Sequence, residues 1–448
     1  MEALAKASFE AGGMPTYPMV VVQHPVAGLD PNIVKARITS ASFDQIVKAL
    51  TTPVKAAVPA AKTKTTEKMV YQGKDLITAI KAMNDDFLAR NWGDGFPVIP
   101  PTPALVREML KATKMAPTDV IGILGPRNGK VTVENLAINA VMAGCRPEYM
   151  PVLIAMMQAA LKPEFNLAQI NVTTNPVVPT VILSGPMTDV SELNINSGTG
   201  VFGPGWQANA TIGRTLALLT LTTGGATPGP TAKGTHKQFA KYSAAWAVDR
   251  VNNPFPSLQE QLLTTPRRIE QITNAYKTLS LGTPKFEPVG KDENVVIVFG
   301  LLDRNNVNDN NCTKGDCLLN SIATAMLTAE LARPAAGGID GQYLIVLGPQ
   351  HAKILANDGW TIDKMRQFLF KEARYPLKRW VPSHTETLEN TKKDWVNTKA
   401  AEPFAEDGNV PMVKHPEDFY FTVAGGPGSH SAVFIGAYGT FVMQKVTK

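Results

Sequence analysis

Apolar residues fall along this chain in short blocks, some at helical spacing and some continuous as in buried strands, with glycine- and proline-rich turns between them. Before residue 53 the pattern predicts a helix over Glu2 to Ala11 and a strand over Tyr17 to Gln23 (YPMVVVQ). A further helix is expected over Pro31 to Leu50, with Ile33, Val34, Ile38, Phe43, Ile46, Val47 and Leu50 at its spacing. A segment as small as 1–53 buries little core alone, so it should pack on the rest of the chain or on a partner. Residues 54–67, VKAAVPAAKTKTTE, are small, polar and aperiodic, as a linker is.

The stretch 68–285 reads as a helix-rich, mixed α/β domain. Helices are expected over Asp75 to Trp92 and after Pro103, on either side of the turn Gly93-Asp94-Gly95-Phe96-Pro97. Two more, Val133 to Met142 and Pro147 to Leu161, flank the bend Ala143-Gly144-Cys145-Arg146-Pro147, where glycine ends one helix and proline starts the next. Apolar runs at Ala168 to Val172 and Val177 to Leu183 are strand candidates around the polar Thr173-Thr174-Asn175. The turn Gly203-Pro204-Gly205 leads into a helix from Asn209 to Thr220.

A second boundary falls at 285–293, KFEPVGKDE, and 286–448 forms the last domain. There a strand from Asn294 to Leu302, a polar loop, a helix from about Asp316 to Leu331 and a strand from Gln342 to Leu347 follow one another. That succession occupies about 55 residues, the spacing of a parallel β-α-β unit. A third strand, Phe419 to Val423, precedes Gly425-Gly426-Pro427-Gly428. The fold class expected is therefore multi-domain α/β, with a parallel sheet in the C-terminal domain.

With 448 residues, 44% hydrophobic and 18% charged, the chain has the balance of a globular protein of more than one domain, and no apolar run is long enough to span a bilayer. The first residues lack the features of a secretory signal, so a cytoplasmic location is expected. The net charge of +6 is spread along the chain without aromatic-interleaved basic patches. That argues against nucleic acid and for small anionic ligands. Three cysteines cannot build a disulfide framework and are read as thiols.

Ligands of open parallel sheets bind beyond the carboxyl ends of the strands, and three loops of the last domain fit that place. The first, DRNNVNDNNCTKGDC, carries Asp303, Cys312, Lys314, Asp316 and Cys317; the second, Gly348-Pro349-Gln350-His351; the third, GGPGSHS, carries Gly426, Gly428, Ser429 and His430. Cys317 falls in the first turn of a predicted helix, where the dipole and Lys314 lower a thiol pKa; a buried structural cysteine is the plainer alternative. Cys145 beside Arg146 admits the same two readings. Glycine turns before a helix leave room for an anion, so Gly203 and Gly205, with Asn209 as N-cap and Arg214 as a forked donor, form a candidate substrate wall. Asp94, Arg146, Thr174 and Asn175 complete the candidate substrate contacts. GxSxG and HExxH motifs and clustered carboxylates are missing, which counts against common hydrolases and metalloproteases.

The segments WGDGFPVIPPT (92–102), VENLAINAVMAGCRPEYMPVLIAMM (133–157), GPGWQANATIGR (203–214), GPQHAKILANDGWTIDKMRQFL (348–369) and VAGGPGSHSA (423–432) resemble proteins associated with the UGSC-motif (seleno)protein family. Residues 1–52, with GMPTYPMVVVQHP, are similar to the back half of the UGSC domain itself, but the selenocysteine- or cysteine-bearing motif is absent. In a complete domain it would lie upstream of Met1. The resemblance implies redox or thiol-dependent chemistry on a small molecule, with the missing group supplied by another subunit, by sequence beyond a recoded stop codon, or dispensed with.

The expected function is thus an oxidoreductase or lyase acting on a small polar or anionic molecule by thiol-assisted chemistry, within a homo- or hetero-oligomer. Cys145, Cys312 or Cys317 would be the reactive thiol, and His351 or His430 the proton donor. Two alternatives stand beside it. One is a metal-dependent lyase or hydratase drawing ligands from His236, His351, His430 and the cysteines. The other is a non-catalytic subunit that presents substrate to a selenol- or thiol-bearing partner. The residues name no cofactor.

Overall fold

A computed structural model of the protein describes residues 18–23, 31–52, 69–284, 289–290, 292–328, 342–376, 406–437 and 439–447. The expected helix at 2–11, the linker at 54–67 and much of the segment 285–293 lie outside the described residues. Residues 18–23 carry no regular secondary structure. The strand expected there has no pairing partner among the described residues, and an apolar run without a neighbour to hydrogen-bond is not a strand. The long helix expected next is two, α1 (Pro31–Arg37) and α2 (Ser40–Thr51). Thr39 divides them because its hydroxyl accepts from the Ser42 N–H and caps α2. No residue of α2 is buried, which leaves its apolar face exposed among the described residues.

Helices α3 (Leu76–Ala89) and α4 (Pro103–Leu110) precede a two-stranded antiparallel hairpin, β1 (Val120–Leu124) and β2 (Gly129–Thr132). Then come α5 (Val133–Ala143) and, after a 3-10 turn, α6 (Met150–Ala160), joined at Gly144, whose φ of 92° is the left-handed value that suits glycine. The run at 168–172 is a helix, α7 (Leu167–Val172), and not the expected strand. Leu167 and Ile170, three apart, are both buried on one face, a helical period that a short apolar run hides.

The main sheet is mixed and has seven strands: β3 (Val178–Ser184), β4 (Ala245–Ala247), β5 (Val295–Asn308), β6 (Tyr343–Leu347), β9 (Phe419–Val423), β10 (His430–Gly436) and β11 (Val442–Lys445). A separate small pair, β7 (Arg374–Pro376) and β8 (Asn409–Pro411), lies off it. The order is β4-β3-β5-β10-β6-β9, with β11 also on β5. The α/β class is as expected, and β3/β4 and β6/β9 are parallel pairs. Two expectations are corrected. β5 and β6 run parallel to each other, as expected of a β-α-β unit, but β10 is inserted between them, antiparallel to both. The polar stretch after Leu302 is not a loop but the second half of β5, since β10 pairs with it up to Asn308. Moreover β3 and β4 share this sheet with β5, so the boundary expected at residue 286 runs through one sheet.

Alternate residues of β5 enter opposite cores. Val296, Val298 and Leu302 join α5, α6, α11 (Gly315–Thr328) and α13 (Ile362–Glu372) on one side. Val295, Ile297, Phe299 and Leu301 face the side of Trp246, Phe441 and α9 (Leu258–Thr264). Three layers result, helix over sheet over a thinner helical face. α8 (Gln207–Thr222) lies against α5, and α10 (Pro266–Thr278) and α12 (Pro349–Asn357) complete the described helices.

Candidate functional site

The three loops singled out beyond the sheet do meet, where β5 ends and β10 begins. Asp309 N–H donates to Ser429 O at 3.2 Å, Gly348 N–H donates to His430 O at 3.0 Å, and Ser429 Oγ donates to Gln350 Oε1 at 3.1 Å. Between them lies His351, fully buried, with Nδ1 2.8 Å from Ser431 Oγ and Nε2 3.4 Å from Asp309 O. Burial lowers the His351 pKa, so the ring is neutral at neutral pH. Enclosed and engaged at both nitrogens, it is not placed to pass a proton to a substrate. His430 is exposed on the first residue of β10.

Cys312 and Cys317 are joined as a disulfide, which corrects their reading as separate thiols. Cys312 is buried, whereas Cys317 is exposed in the first turn of α11. Asp309 completes the cluster: its carboxylate lies 3.0 Å from Cys312 Sγ and accepts the Asn311 and Cys312 N–H groups at 3.1 and 3.0 Å. Ser321 Oγ donates to the same carboxylate by a short bond and is the main cause of its lowered pKa. Lys314 does not serve Cys317 as expected, for it reaches toward Asp358 at 3.8 Å. Asp358 in turn accepts the Gly315 N–H at 2.7 Å, so a carboxylate already occupies the start of α11.

Elsewhere the expected candidates are committed to structure. Cys145 packs against the cluster of Met83, Phe87, Met142 and Leu218, with Sγ 3.2 Å from Thr215 Oγ1. Burial pushes its thiol up to about 11, the opposite of an activated thiolate. Arg146 turns away, donating to Gln207 Oε1 and Glu192 O at 2.8 Å each. Arg214 is not a free anion holder: Nε and Nη2 clasp Asp94 at 2.7 and 2.9 Å, and Nη2 also donates to the Phe96 and Pro97 carbonyls. Asp94, open to reading as an exposed carboxylate or as a turn aspartate that holds its own backbone, is the latter: it accepts the Phe96 N–H at 3.1 Å and has only 9% of its side chain accessible. Asn209 is not the N-cap of α8, which starts at Gln207. Buried instead, it exchanges two hydrogen bonds of 3.0 Å with the Asn196 backbone and fixes the glycine turn to the helix.

Gly203 and Gly205 remain exposed in that turn, Gly205 at φ 114°. The turn segment and the last glycine loop approach each other, since Gly425 N–H donates to Ser197 O at 2.8 Å and Gly426 packs on Thr199. Gly428, at φ 142°, precedes Ser429 in the loop that meets Asp309. Thr174 O accepts the Thr235 N–H at 2.9 Å, and the Asn175 N–H donates to Thr173 Oγ1 at 3.1 Å, so both belong to a turn bordering the segment of His236. That segment helps to line a cleft of about 690 Å³ together with Lys237 and Lys241.

The sequence reading missed Asp309, Ser321 and Ser431, polar residues of a loop, a helix and a strand that look ordinary until the chain folds. It also missed Lys237 and Lys241, whose spacing of four residues was the available signal. Comparison with known families, characterised proteins and solved structures finds no match for this chain. No described helix is long and apolar enough to cross a membrane.

Proposed function

We propose that the protein is a thiol-dependent oxidoreductase for a small polar or anionic molecule, with Cys312 and Cys317 as its two-electron centre. The observation that carries this is the asymmetry of the bonded pair, one cysteine buried beside Asp309 and the other an exposed residue at the start of α11. In the reduced form Cys317 would attack the substrate, Cys312 would lose its proton to Asp309, and the Cys312 thiolate would displace the substrate fragment from Cys317. The dithiol would lose two electrons and two protons to become the disulfide, and R–X would gain both to leave as R–H and HX. An external thiol would restore the pair. The resemblance to the UGSC-motif family, which implies thiol or selenol redox chemistry, supports the reading.

Equilibration of the purified chain in thiol redox buffers, with quantitation of free thiols, tests it. A working couple titrates between about −270 and −120 mV, and a purely structural disulfide below about −300 mV. The latter result would rule the proposal out.

A second reading has one supporting observation: Asp309, Cys312 and Cys317 offer ligand atoms all within 4.8 Å of one another. After reduction these three would suit zinc better than a hard cation. The same titration with elemental analysis distinguishes the two, because bound zinc would hold the pair reduced.

A further inference from the structure

We infer that the cleft containing Lys237 and Lys241 is a binding site for a small organic anion with an apolar body, an aromatic carboxylate being the type. The cleft encloses about 690 Å³, room for a ligand of that size. A recess of about 20 Å³, lined by Asn171, Thr220 and Lys241 among others, adjoins it. Apolar groups, including Ala217, Leu221 and Pro228, make up much of the wall. Phe239, 92% exposed, and Tyr242, whose ring meets Phe96 edge-on at 4.7 Å, offer aromatic faces at its lip.

The charge balance of this cleft is what points to an anion. Its titratable lining consists of Asp94, His236, Lys237, Lys241 and Tyr242. Asp94 is the one carboxylate there, and Arg214 already holds both of its oxygens. Among the described residues neither lysine is joined to an acid. Burial lowers the pKa of both, and the charge of Lys237 further depresses Lys241, to about 8. Two ammonium groups partly withdrawn from water without a counter-charge are costly, and a bound anion removes much of that cost.

The lysines are also held in place. Thr235 N–H donates to Thr174 O at 2.9 Å, and Gln238 Nε2 donates to Pro176 O and Leu302 O at 2.6 and 3.0 Å. Lys237 adopts φ 57°, a conformation that glycine would take at lower cost, yet a cationic side chain stands there. From Leu302 to the end of β5 is about 20 Å of strand, so this site is separate from the cysteine pair and does not rest on the redox reading.

Calorimetric titration of the full chain with benzoate, and separately with inorganic phosphate, tests the inference. Benzoate is expected to bind at about pH 7.5 and to weaken about tenfold or more by about pH 9.5 as Lys241 loses its proton. Lys241→Met should weaken binding at pH 7.5 to a similar degree, whereas Lys241→Arg should retain it up to the higher pH. Circular dichroism of each variant confirms that it folds. Absence of benzoate binding to the wild type, equal affinity in a folded Lys241→Met, or binding of phosphate alone would each overturn the proposal.

Discussion

Arg214 and Asp94 stand 120 residues apart in the chain and meet side by side, Nε to Oδ2 at 2.7 Å and Nη2 to Oδ1 at 2.9 Å. The pair ties α8 to the Gly93–Pro97 turn, with 17% and 9% of the two side chains accessible. Removing one member leaves the other charge largely enclosed. Asp94→Ala is therefore expected to cost about 3 kcal/mol, and the double variant Asp94→Leu with Arg214→Met distinctly less than the sum of the singles. Urea unfolding of the wild type, Asp94→Ala, the singles Asp94→Leu and Arg214→Met and their double variant measures both quantities.

Asp309 would act on Cys312 as a proton acceptor through the 3.0 Å approach to its sulfur. Asp309→Asn keeps the shape and removes the base. Reoxidation of the reduced pair by a small disulfide is expected to slow about 100-fold at neutral pH, and its pH dependence should move upward toward the intrinsic thiol pKa. Stopped-flow assay of free thiols shows whether it does.

Cys145 should behave as an inert thiol. With its pKa pushed up to about 11, it should resist iodoacetamide at about pH 8 in the native protein and react on unfolding, as read by peptide mass spectrometry. Cys145→Ala should leave the redox titration of the other two cysteines unchanged.

The His351 pKa is lowered on folding, so between its folded value and about 6.5 the unfolded chain binds more protons than the native one. Stability should fall as pH drops from 6.5 toward the folded value and level off below it. In His351→Gln that part of the slope should vanish, although the variant is less stable at pH 7. Denaturant midpoints across the pH range test the sign.

Much of the fold was legible because it rests on local signals. The Gly144 bend, α5, α6, β6 and β9 follow from apolar period and capping residues, which act within one or two turns. What escaped depends on distant partners. Residues 303–308 look like a polar loop until β10 pairs with them, and the apolar run at 168–172 is too short to separate a helix from a strand. The same holds for the site. The three segments do come together, although the first leaves the sheet only after Asn308, and individual residues take other roles than those expected. Arg214 is occupied by an aspartate from another turn, Asn209 by a backbone segment, and the cysteines by one another. Composition and spacing record that a side chain is able to bind, not that a neighbour has already claimed it.

The place of β10 in the sheet also bears on how the chain matures. β5 and β6 emerge from the ribosome long before the strand that lies between them, and β5 must wait for residues 430–436 to cover its second half. Until then two buried strands present open edges with unpaired backbone groups, the condition that invites association with other chains. Nascent molecules of this protein are thus expected to depend on chaperones until residues 430–436 arrive. Truncations just before His430 should accumulate as aggregates and not as a smaller folded unit.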